Sequence, residues 1–368
     1  MDYPDATPVT VVPQNLLDPT YGRPYTYPLH WMEQDAMGQD APVRVGIAGA
    51  TGYAGQELLR LLARHPGASV TVAMGSSATS TPRELPALAH LWSGHVVALD
   101  LDVLASETDV VFLALPEEAS AAVAPQLLAH GRRVFDLSGA FRLKDDNARA
   151  KWYPHTKQLP DGTLYGLTEH ARQRLASARL VSCPGCYPTA AALAIKPLVA
   201  AGLVAGEIVI DAKSGVSGAG KAPTERTHFS EAHGSVSAYK VFAHRHAAEI
   251  EQEVGRPVTF VPHLVPLDRG ILETIYLRVP QGTTDATIAA AYAAAYTGAC
   301  FVRITGTALP AIKQVAWSNF CDIGWALDEP TSRLVVVSVI DNLVKGAAGQ
   351  AVQNFNVAYG FNERTGLV

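Results

Sequence analysis

Two cysteines in residues 182–189, Ser-Cys-Pro-Gly-Cys-Tyr-Pro-Thr, stand where a thiol could act as a nucleophile. A short apolar strand precedes them, Pro and Gly impose a turn, and Cys186 falls where the next helix is predicted to begin. Free backbone N–H groups and the positive end of the helix dipole at such a position favour a thiolate. The segment therefore predicts a reactive Cys186; a structural cysteine buried beside a turn is the alternative.

Cys183 and Cys186 also form a C-x-x-C pair, a spacing shared by redox dithiols and by half of a zinc site. A second ligand pair at suitable spacing is missing, and no thioredoxin-like strand precedes the pair near the start of the chain. Cys300 and Cys321 bring the total to four, too few for a disulfide scaffold in 368 residues. We therefore expect a reducing, cytoplasmic location.

Gly49, Gly52 and Gly55 follow an apolar strand predicted over 43–49 and precede a helix predicted over 56–64. A strand-to-helix turn of this kind brings its backbone close to a pyrophosphate and places that charge at the helix N-terminus. Thr51 and Tyr53 lie in the same turn and are predicted to contact the cofactor with the glycines. The spacing is G-x-x-G-x-x-G rather than G-x-G-x-x-G, so a tight turn without a ligand is the alternative.

The next predicted strand, 69–74, ends where a NAD-binding protein usually carries a carboxylate for the ribose 2'-hydroxyl. The chain instead continues Met-Gly-Ser-Ser-Ala-Thr over residues 74–79. Small hydroxyl groups without a carboxylate would not repel a 2'-phosphate, so the sequence favours NADP over NAD. Ser76 is the candidate contact, and Arg83 could contribute charge; a solvated Ser/Thr loop is the alternative.

Strands predicted over 109–115 and 133–137 flank a helix predicted over 117–130. This alternation is typical of a doubly wound parallel sheet, whose ligands bind at the carboxyl ends of the strands. Arg142 follows the second of these strands, and its guanidinium suits a phosphate or a carboxylate. Arg142 is therefore a candidate substrate ligand, with an exposed ion-pair partner as the alternative.

Four histidines lie at residues 228, 233, 244 and 246. Their spacing matches no metal-ligand motif, and Arg245 between the last two opposes a cation, so no metal site is predicted. His244 and His246 directly precede a helix predicted over 247–253, on which Glu249 could orient the His246 imidazole and support its protonated form. The sequence leaves open which histidine acts as acid and base; surface histidines beside a helix cap are the alternative.

Length and composition predict two domains, because single cores seldom exceed roughly 250–300 residues. The net charge of −5 disfavours nucleic acid and anionic membranes as partners, and no apolar run is a convincing bilayer span.

Strands dominate after residue 257, and a last helix is predicted over 345–359. We predict an α/β protein with a Rossmann-type dinucleotide-binding domain (42–182 with 343–368) and an α+β substrate and dimerisation domain with a largely antiparallel sheet (183–342). Residues 1–41 are predicted to be a mobile extension, with Met37 as a plausible internal start.

These parts together suit the reduction of an activated acyl group. The thiolate would attack an acyl phosphate and release phosphate, NADPH would reduce the thioester, and the hemithioacetal would collapse to an aldehyde. A histidine would serve as acid and base, a role worth about 10²- to 10⁴-fold in rate.

Several motifs closely resemble the N-acetyl-gamma-glutamyl-phosphate reductase family of arginine biosynthesis: GATGYAG (49–55), PGCYPTAA (184–191), KSGVSGAGK (213–221), HRH followed by EIEQE (244–253) and DNLVKGAAGQAVQNFN (341–356). The resemblance implies that Cys186 is the nucleophile, that the histidine pair supplies the acid and base, and that the cofactor is NADPH. It also implies an acyl-phosphate substrate and a cytoplasmic homodimer or homotetramer. On this basis we assign Ser217 and Gly218 to the cofactor, and Arg142, Lys213 and Arg245 to the substrate. The aspartate-semialdehyde and glyceraldehyde-phosphate dehydrogenases share the plan more distantly, and there an arginine at the place of Arg142 handles phosphate or carboxylate.

Two positions depart from the family pattern. Cys183 stands where the family usually has asparagine, which leaves backbone N–H groups at the helix start to position the acyl oxygen. Ala140 replaces an acidic residue before the Phe-Arg pair. As a further hypothesis, Cys183 could trap Cys186 as a disulfide under oxidation.

Two competing functions remain open from the sequence. A related family reduces an aminoadipyl phosphate in lysine biosynthesis, and one methylene usually gives only about 10- to 200-fold discrimination. A non-catalytic dinucleotide-binding regulator is the second; it would be expected to lack the nucleophile or the histidine, and both are present.

Overall fold

The computed structural model describes residues 41–76 and 81–368. The extension predicted over 1–41, apart from its last residue, lies outside the described residues, and so does the internal start at Met37. Residues 77–79 of the predicted Ser/Thr loop lie outside them as well.

The first sheet contains seven strands, and every neighbouring pair is parallel, in the order β3-β2-β1-β4-β5-β7-β6. This confirms the predicted doubly wound parallel sheet. The strands are β1 Val43–Ala48, β2 Ala68–Met74, β3 Val96–Val97, β4 Val110–Leu113, β5 Arg133–Asp136, β6 Leu164–Tyr165 and β7 Leu180–Ser182.

Helices cover both faces of this sheet, so its central strands are apolar on both sides. Val45 and Phe112 belong to the core on one face, whereas Val111 and Leu113 belong to the core on the other. The helices of this half are α1 Tyr53–Leu62, α2 Leu101–Glu107, α3 Glu117–Ala129, α4 Asp146–Trp152 and α5 Thr168–Leu175. Helix α1 begins three residues before its predicted start, with Gly52 as its extended N-cap.

The second sheet is mixed, with the order β12-β13-β14-β11-β8-β10-β9. Its β12–β13 and β8–β10 pairs are parallel and the other pairs antiparallel, which confirms a largely antiparallel sheet. The strands are β8 Ala205–Gly215, β9 Ser237–Ala238, β10 Val258–Val265, β11 Ile271–Arg278, β12 Val302–Gly306, β13 Cys321–Asp328 and β14 Arg333–Ile340. The helices of this half are α6 Cys186–Ala200, α7 Phe229–Ala232, α8 Arg245–Val254 and α9 Asp285–Tyr296.

Helix α6 lies on the inner face of the second sheet, where residues 190–195 are buried. Cys183, three residues before the helix, belongs instead to the core of the first sheet, whereas Cys186 packs against the core of the second. Residues 183–186, the cysteine turn, therefore connect the two cores.

The C-terminal segment forms a π-helical turn, Val344–Ala348, and then helix α10, Gly349–Tyr359, rather than the one regular helix predicted over 345–359. Helix α10 packs against α1 and α5 and contributes Val352 and Phe355 to the core of the first sheet. This packing supports the division into 42–182 with 343–368 and 183–342, which we keep as a proposal.

Within residues 41–76 and 81–368, no helix is long and apolar enough to cross a membrane.

Candidate active site

The cysteine turn has the geometry that the sequence predicts. Strand β7 ends at Ser182, the N–H of Cys183 donates to the carbonyl of Asp136 at 2.7 Å, and α6 begins at Cys186 with Gly185 as its extended N-cap. A Cβ built on Gly346 would lie 2.8 Å from the Cβ of Cys186, so the π-turn packs directly against this side chain. Two elements thus fix the position of the Cys186 thiol.

The expectation that the helix start ionises this thiol is wrong for the ligand-free protein. Burial raises the pKa of Cys186 to about 11, although the backbone N–H of Tyr187 and the charge of Arg142 act in the opposite direction. Desolvation therefore outweighs the helix dipole. Formation of the thiolate requires a base nearby.

Glu249 does not orient a histidine, contrary to the sequence prediction. Its carboxylate accepts a hydrogen bond from the N–H of Gly185 at 2.8 Å and one from the hydroxyl of Tyr165 at 2.9 Å. It also lies 3.4 Å from a terminal nitrogen of Arg142. A buried carboxylate is stabilised best by a cation and by N–H donors. For Glu249 the cation is Arg142, from the first domain, and the N–H donor is Gly185, from the cysteine turn. Glu249 is thus positioned to hold the turn that carries the nucleophile.

Arg142 holds the same turn from the other side. Its Nε donates to the carbonyl of Cys183 at 2.9 Å, and a terminal nitrogen donates to the carbonyl of Leu137 at 2.7 Å. The Arg142 guanidinium is buried and its hydrogen bonds go to protein groups, whereas the sequence predicts that it binds the substrate. We propose that Arg142 orients the cysteine turn, together with Glu249.

Replacing Glu249 with alanine is expected to lower the free energy of unfolding by about 3–5 kcal/mol, because it leaves the buried Arg142 charge without its partner. Urea unfolding measures this change. Glu251→Ala, which removes a half-buried carboxylate from the same helix, serves as the control and is expected to cost less. A loss below about 1 kcal/mol for Glu249→Ala would contradict the role of this carboxylate as the partner of Arg142.

His244 and His246 lie together beside the cysteine turn, with ring centroids 4.7 Å apart. His244 is the N-cap of α8, and its Nδ1 accepts from the N–H of His246 at 3.1 Å. The Nε2 of His246 reaches Gly185, since a Cβ built there would lie 2.7 Å from it. The Nδ1 of His246 is buried and has no hydrogen-bond partner in the described part of the chain. His246 is therefore the histidine that faces the start of α6.

Both imidazoles are held in the neutral form. Burial, followed by the charges of Arg245 and Lys240, lowers the pKa of His244 to about 4. Burial, followed by His244, Arg142 and Arg245, lowers the pKa of His246 well below its ordinary value. A neutral imidazole can accept a proton from a thiol, and a thiol of raised pKa needs such an acceptor.

A cleft of about 630 Å³ opens onto Cys186, His244 and His246. Several of its other lining residues were not assigned from the sequence: Trp152, Tyr187, Thr224, Arg226, Tyr239 and Lys240. The hydroxyls of Tyr187 and Tyr239 lie 3.2 Å apart. Tyr187 follows the nucleophile directly and Tyr239 with Lys240 stands among the histidines, so their positions in the sequence were the available signal.

The two remaining substrate candidates differ in position. Arg245 lines the cleft, and its guanidinium lies 5.7 Å from the centre of the Tyr153 ring. The Nζ of Lys213 pairs with the carboxylate of Asp211 at 2.6 Å, and Lys213 is not among the residues that line the cleft. The geometry thus favours Arg245 over Lys213 as a substrate ligand.

The glycine turn after β1 fits a dinucleotide. Gly49 has φ +89°, and a Cβ there would lie 2.2 Å from the carbonyl oxygen of Ala114; a Cβ on Gly55 would lie 2.2 Å from that of Gly49. Only glycine fits at both positions, and the first N–H groups of α1 have no partner within the helix. Tyr53 is exposed at the first helical position, and Thr51 lies in the turn. This arrangement can seat a pyrophosphate, as the sequence predicts.

The second predicted cofactor segment approaches this turn. The Nζ of Lys221 donates to the carbonyl of Thr51 at 3.1 Å, which brings the loop after β8 onto the glycine turn. In this loop Gly218 lines the cleft, and the Ser217 hydroxyl donates to the carbonyl of Asp268 at 2.6 Å. Ser76 is exposed just after β2. Arg83 pairs through its backbone with Val96 of β3.

Cys183 has different surroundings from Cys186. It is fully buried, with its sulfur 3.9 Å from the side-chain amide of Asn354, and burial raises its pKa to about 12. Both cysteines are free and their side chains pack against different cores, and the hypothesis of a disulfide between them under oxidation stays a prediction. Across residues 41–76 and 81–368, no group of three or more His, Cys, Asp or Glu side chains could hold a metal ion.

Comparison with known proteins gives two family matches and many relatives. The semialdehyde dehydrogenase NAD-binding domain matches residues 44–178, and the semialdehyde dehydrogenase dimerisation domain matches residues 186–342. The N-acetyl-gamma-glutamyl-phosphate reductase of Shouchella clausii is 46% identical over 338 residues, which cover 88% of this chain and 98% of the relative. That of Symbiobacterium thermophilum is 47% identical over 346 residues, which cover 89% and 97%.

Solved structures share the fold. Aspartate semialdehyde dehydrogenase II from Vibrio cholerae superposes with a TM-score of 0.67 at 17% identity, covering 87% of this chain and 99% of that one. Aspartate semialdehyde dehydrogenase with NADP from Candida albicans superposes with a TM-score of 0.62 at 16% identity, covering 87% and 99%. The identities and coverage of the sequence relatives show that the chain belongs to the N-acetyl-gamma-glutamyl-phosphate reductase family, whose members are oxidoreductases with a nicotinamide-dinucleotide-binding domain and a dimerisation domain.

Proposed function

We propose that this protein reduces N-acetyl-L-glutamyl 5-phosphate to N-acetyl-L-glutamate 5-semialdehyde and phosphate with NADPH, through a thioester on Cys186. The observation that carries the proposal is that Cys186 and the neutral His246 line the same cleft of about 630 Å³, with the Nε2 of His246 beside Gly185, the residue before Cys186. The names of the most similar relatives support the substrate.

His246 starts the reaction by removing the proton from the Cys186 thiol. The thiolate attacks the acyl carbon, the carbon–oxygen bond to phosphate breaks, and phosphate leaves with the electron pair. The N–H groups at the start of α6 stabilise the negative charge on the acyl oxygen during this step. His246 then holds the proton that the products need when the aldehyde separates from the sulfur.

A nicotinamide dinucleotide supplies a hydride to the thioester carbonyl when it is bound. Gly49, Gly52 and Gly55 with the start of α1 would hold its pyrophosphate, and Gly218 lies where the loop after β8 meets the cleft. Arg226, Lys240 and Arg245 outnumber Glu225 among the charged residues that line the cleft, so it carries net positive charge for an anionic substrate.

The proposed preference for NADPH is tested at Ser76. Changing Ser76 to aspartate places a carboxylate where the 2'-phosphate is expected, so kcat/KM for NADPH should fall about 10-fold or more while that for NADH does not fall. Steady-state kinetics with both dinucleotides measures the change, and Ser76→Asn is the uncharged control. An equal effect on both dinucleotides would contradict this position for the 2'-phosphate.

The proposed substrate is tested by assaying N-acetylglutamyl phosphate beside the aminoadipyl analogue, which is longer by one methylene. We expect the shorter substrate to have the higher kcat/KM, by about 10- to 200-fold. A preference for the longer acyl phosphate would assign the protein to the lysine-type reaction. Binding of NADPH without turnover of either acyl phosphate would favour the non-catalytic regulator.

For the assembly and the location of the protein our proposal is less specific than for the reaction. The dimerisation-domain match supports association with further copies of the chain, and we propose a homodimer or a homotetramer in the cytoplasm. Light scattering of the purified protein measures the number of copies.

A further inference from the structure

Glu273 is a buried acid that the proposed reaction does not use. It lies in the middle of β11 and is fully buried, and neither carboxyl oxygen has a hydrogen-bond partner among the residues that the structure describes. A charged carboxylate in such a place is strongly disfavoured unless it is paired. Burial alone raises the pKa of Glu273 well above its usual range, which favours the neutral acid.

The strand pattern shows which face Glu273 occupies. Residues 271, 273, 275 and 277 of β11 are the buried ones, and the three apolar members belong to the core beneath α6. Glu273 pairs in register with Ala212 of β8 and Ser338 of β14, and neither carries a charge. The hydroxyl of Ser338 donates to the carbonyl of Ala190 at 3.0 Å, in the second turn of α6. Glu273 therefore lies next to the point where the beginning of α6 contacts the sheet.

Cys186 begins the helix whose second turn contacts Ser338, the β14 neighbour of Glu273, and this places the thiol within electrostatic reach of Glu273. Three charged groups act on the thiol: Arg142 favours the thiolate, whereas Glu249 and an ionised Glu273 oppose it. The neutral His246 lies beside Gly185 and lines the same cleft as the thiol. Glu249 has Arg142 to offset its charge, but Glu273 has no cation partner within the described residues. An ionised Glu273 would thus act on the thiol without compensation.

We propose that Glu273 is a positioning residue that must remain a neutral acid beneath Cys186, and that its ionisation suppresses formation of the Cys186 thiolate. The two groups titrate as a coupled pair, in which loss of the proton from one makes loss of the proton from the other harder. The inference deepens the proposed function, since it rests on Cys186 as the reacting thiol, but the thiol can be examined without any substrate.

The test is the rate of alkylation of Cys186 by iodoacetamide in the ligand-free protein from about pH 6 to about pH 10, followed by mass spectrometry of the Cys186 peptide. We expect Glu273→Gln to match the unmodified chain near pH 7 and to react about 3- to 10-fold faster at the alkaline end, where one unit in pKa corresponds to tenfold in thiolate. Glu273→Leu removes the same charge and should behave alike. Glu207→Gln, which removes an exposed carboxylate from β8, should follow the unmodified chain throughout.

Curves for both Glu273 variants that coincide with the unmodified chain at every pH would overturn the proposal, and so would slower alkylation in both. If neither variant folds, the unmodified protein gives a further readout. Coupling to Glu273 makes the alkylation rate of Cys186 rise with pH less steeply than a single ionisation would. A curve that fits one simple ionisation would contradict the proposal. Loss of acyl-phosphate reduction leaves these alkylation curves unaffected, so failure of the proposed function and failure of this inference are distinguishable.

Discussion

Changing Cys186 to serine is expected to lower acyl-phosphate reduction by about 10³-fold or more while binding of NADPH is unchanged, because a hydroxyl is a far weaker nucleophile than a thiolate. Serine is close in size to cysteine, and the side chain is half-buried between α6 and the π-turn, so the fold should persist. Steady-state kinetics of aldehyde formation, together with a fluorescence titration of NADPH, measures both quantities.

Cys183 provides the matched control for this experiment. It lies three residues away but packs in the core of the first sheet, beside Asn354. Cys183→Ala should cost about 1 kcal/mol of unfolding free energy and leave most of the activity. Appreciable reduction by Cys186→Ser, or a comparable loss with Cys183→Ala in a folded protein, would contradict the thioester route through Cys186.

Changing His246 to asparagine is expected to lower kcat/KM by about 10²- to 10⁴-fold, because the Cys186 thiol, whose pKa is raised, then lacks a proton acceptor. The pKa of His246 is lowered, so in the unmodified protein the imidazole remains neutral at physiological pH and activity should fall only when the pH drops well below 6.5. His246→Asn should lose this limb, and its kcat/KM should instead rise with pH towards about 11, since only the thiolate that forms at the raised pKa of Cys186 can then react.

His244→Asn distinguishes the two histidines. The Nδ1 of His244 already accepts the N–H of His246, and the asparagine oxygen can replace it as an N-cap. We therefore expect a smaller loss than for His246→Asn, with the acidic limb retained. Removal of that limb by His244→Asn, with its retention in His246→Asn, would reverse the assignment.

Much of the first domain follows from local patterns. The apolar run at Val43–Ala48 and the glycines after it predict a strand, a tight turn and a helix within a short segment. The glycines are informative because the turn needs a positive φ at Gly49 and close packing at Gly55. The start of α6 at Cys186 follows from the Pro-Gly turn in the same way. By contrast, α5 is short and polar and carries little periodicity, so its residues, including the buried Glu169 that binds Lys345, were not assigned from the sequence.

The partners of the site residues depend on contacts between distant segments, which spacing does not reveal. Glu249 and His246 share a helix, but the groups that Glu249 binds come from the cysteine turn and from β6, brought there by packing of α8 against α6. Arg142 was expected to meet a substrate and instead binds the backbone that surrounds Cys183. Glu273 did leave a signal, since a strand with Ile271 and Ile275 on its buried face carries an acid between them.

In the proposed reaction the acyl group is attached to Cys186 before it is reduced. The most direct measurement mixes the protein with acyl phosphate in the absence of dinucleotide, stops the reaction in acid, and determines the mass of the Cys186 peptide together with the phosphate released. We expect one acyl group on Cys186 and one released phosphate for each active site. An unmodified Cys186 peptide from protein that is fully active when NADPH is added would contradict it.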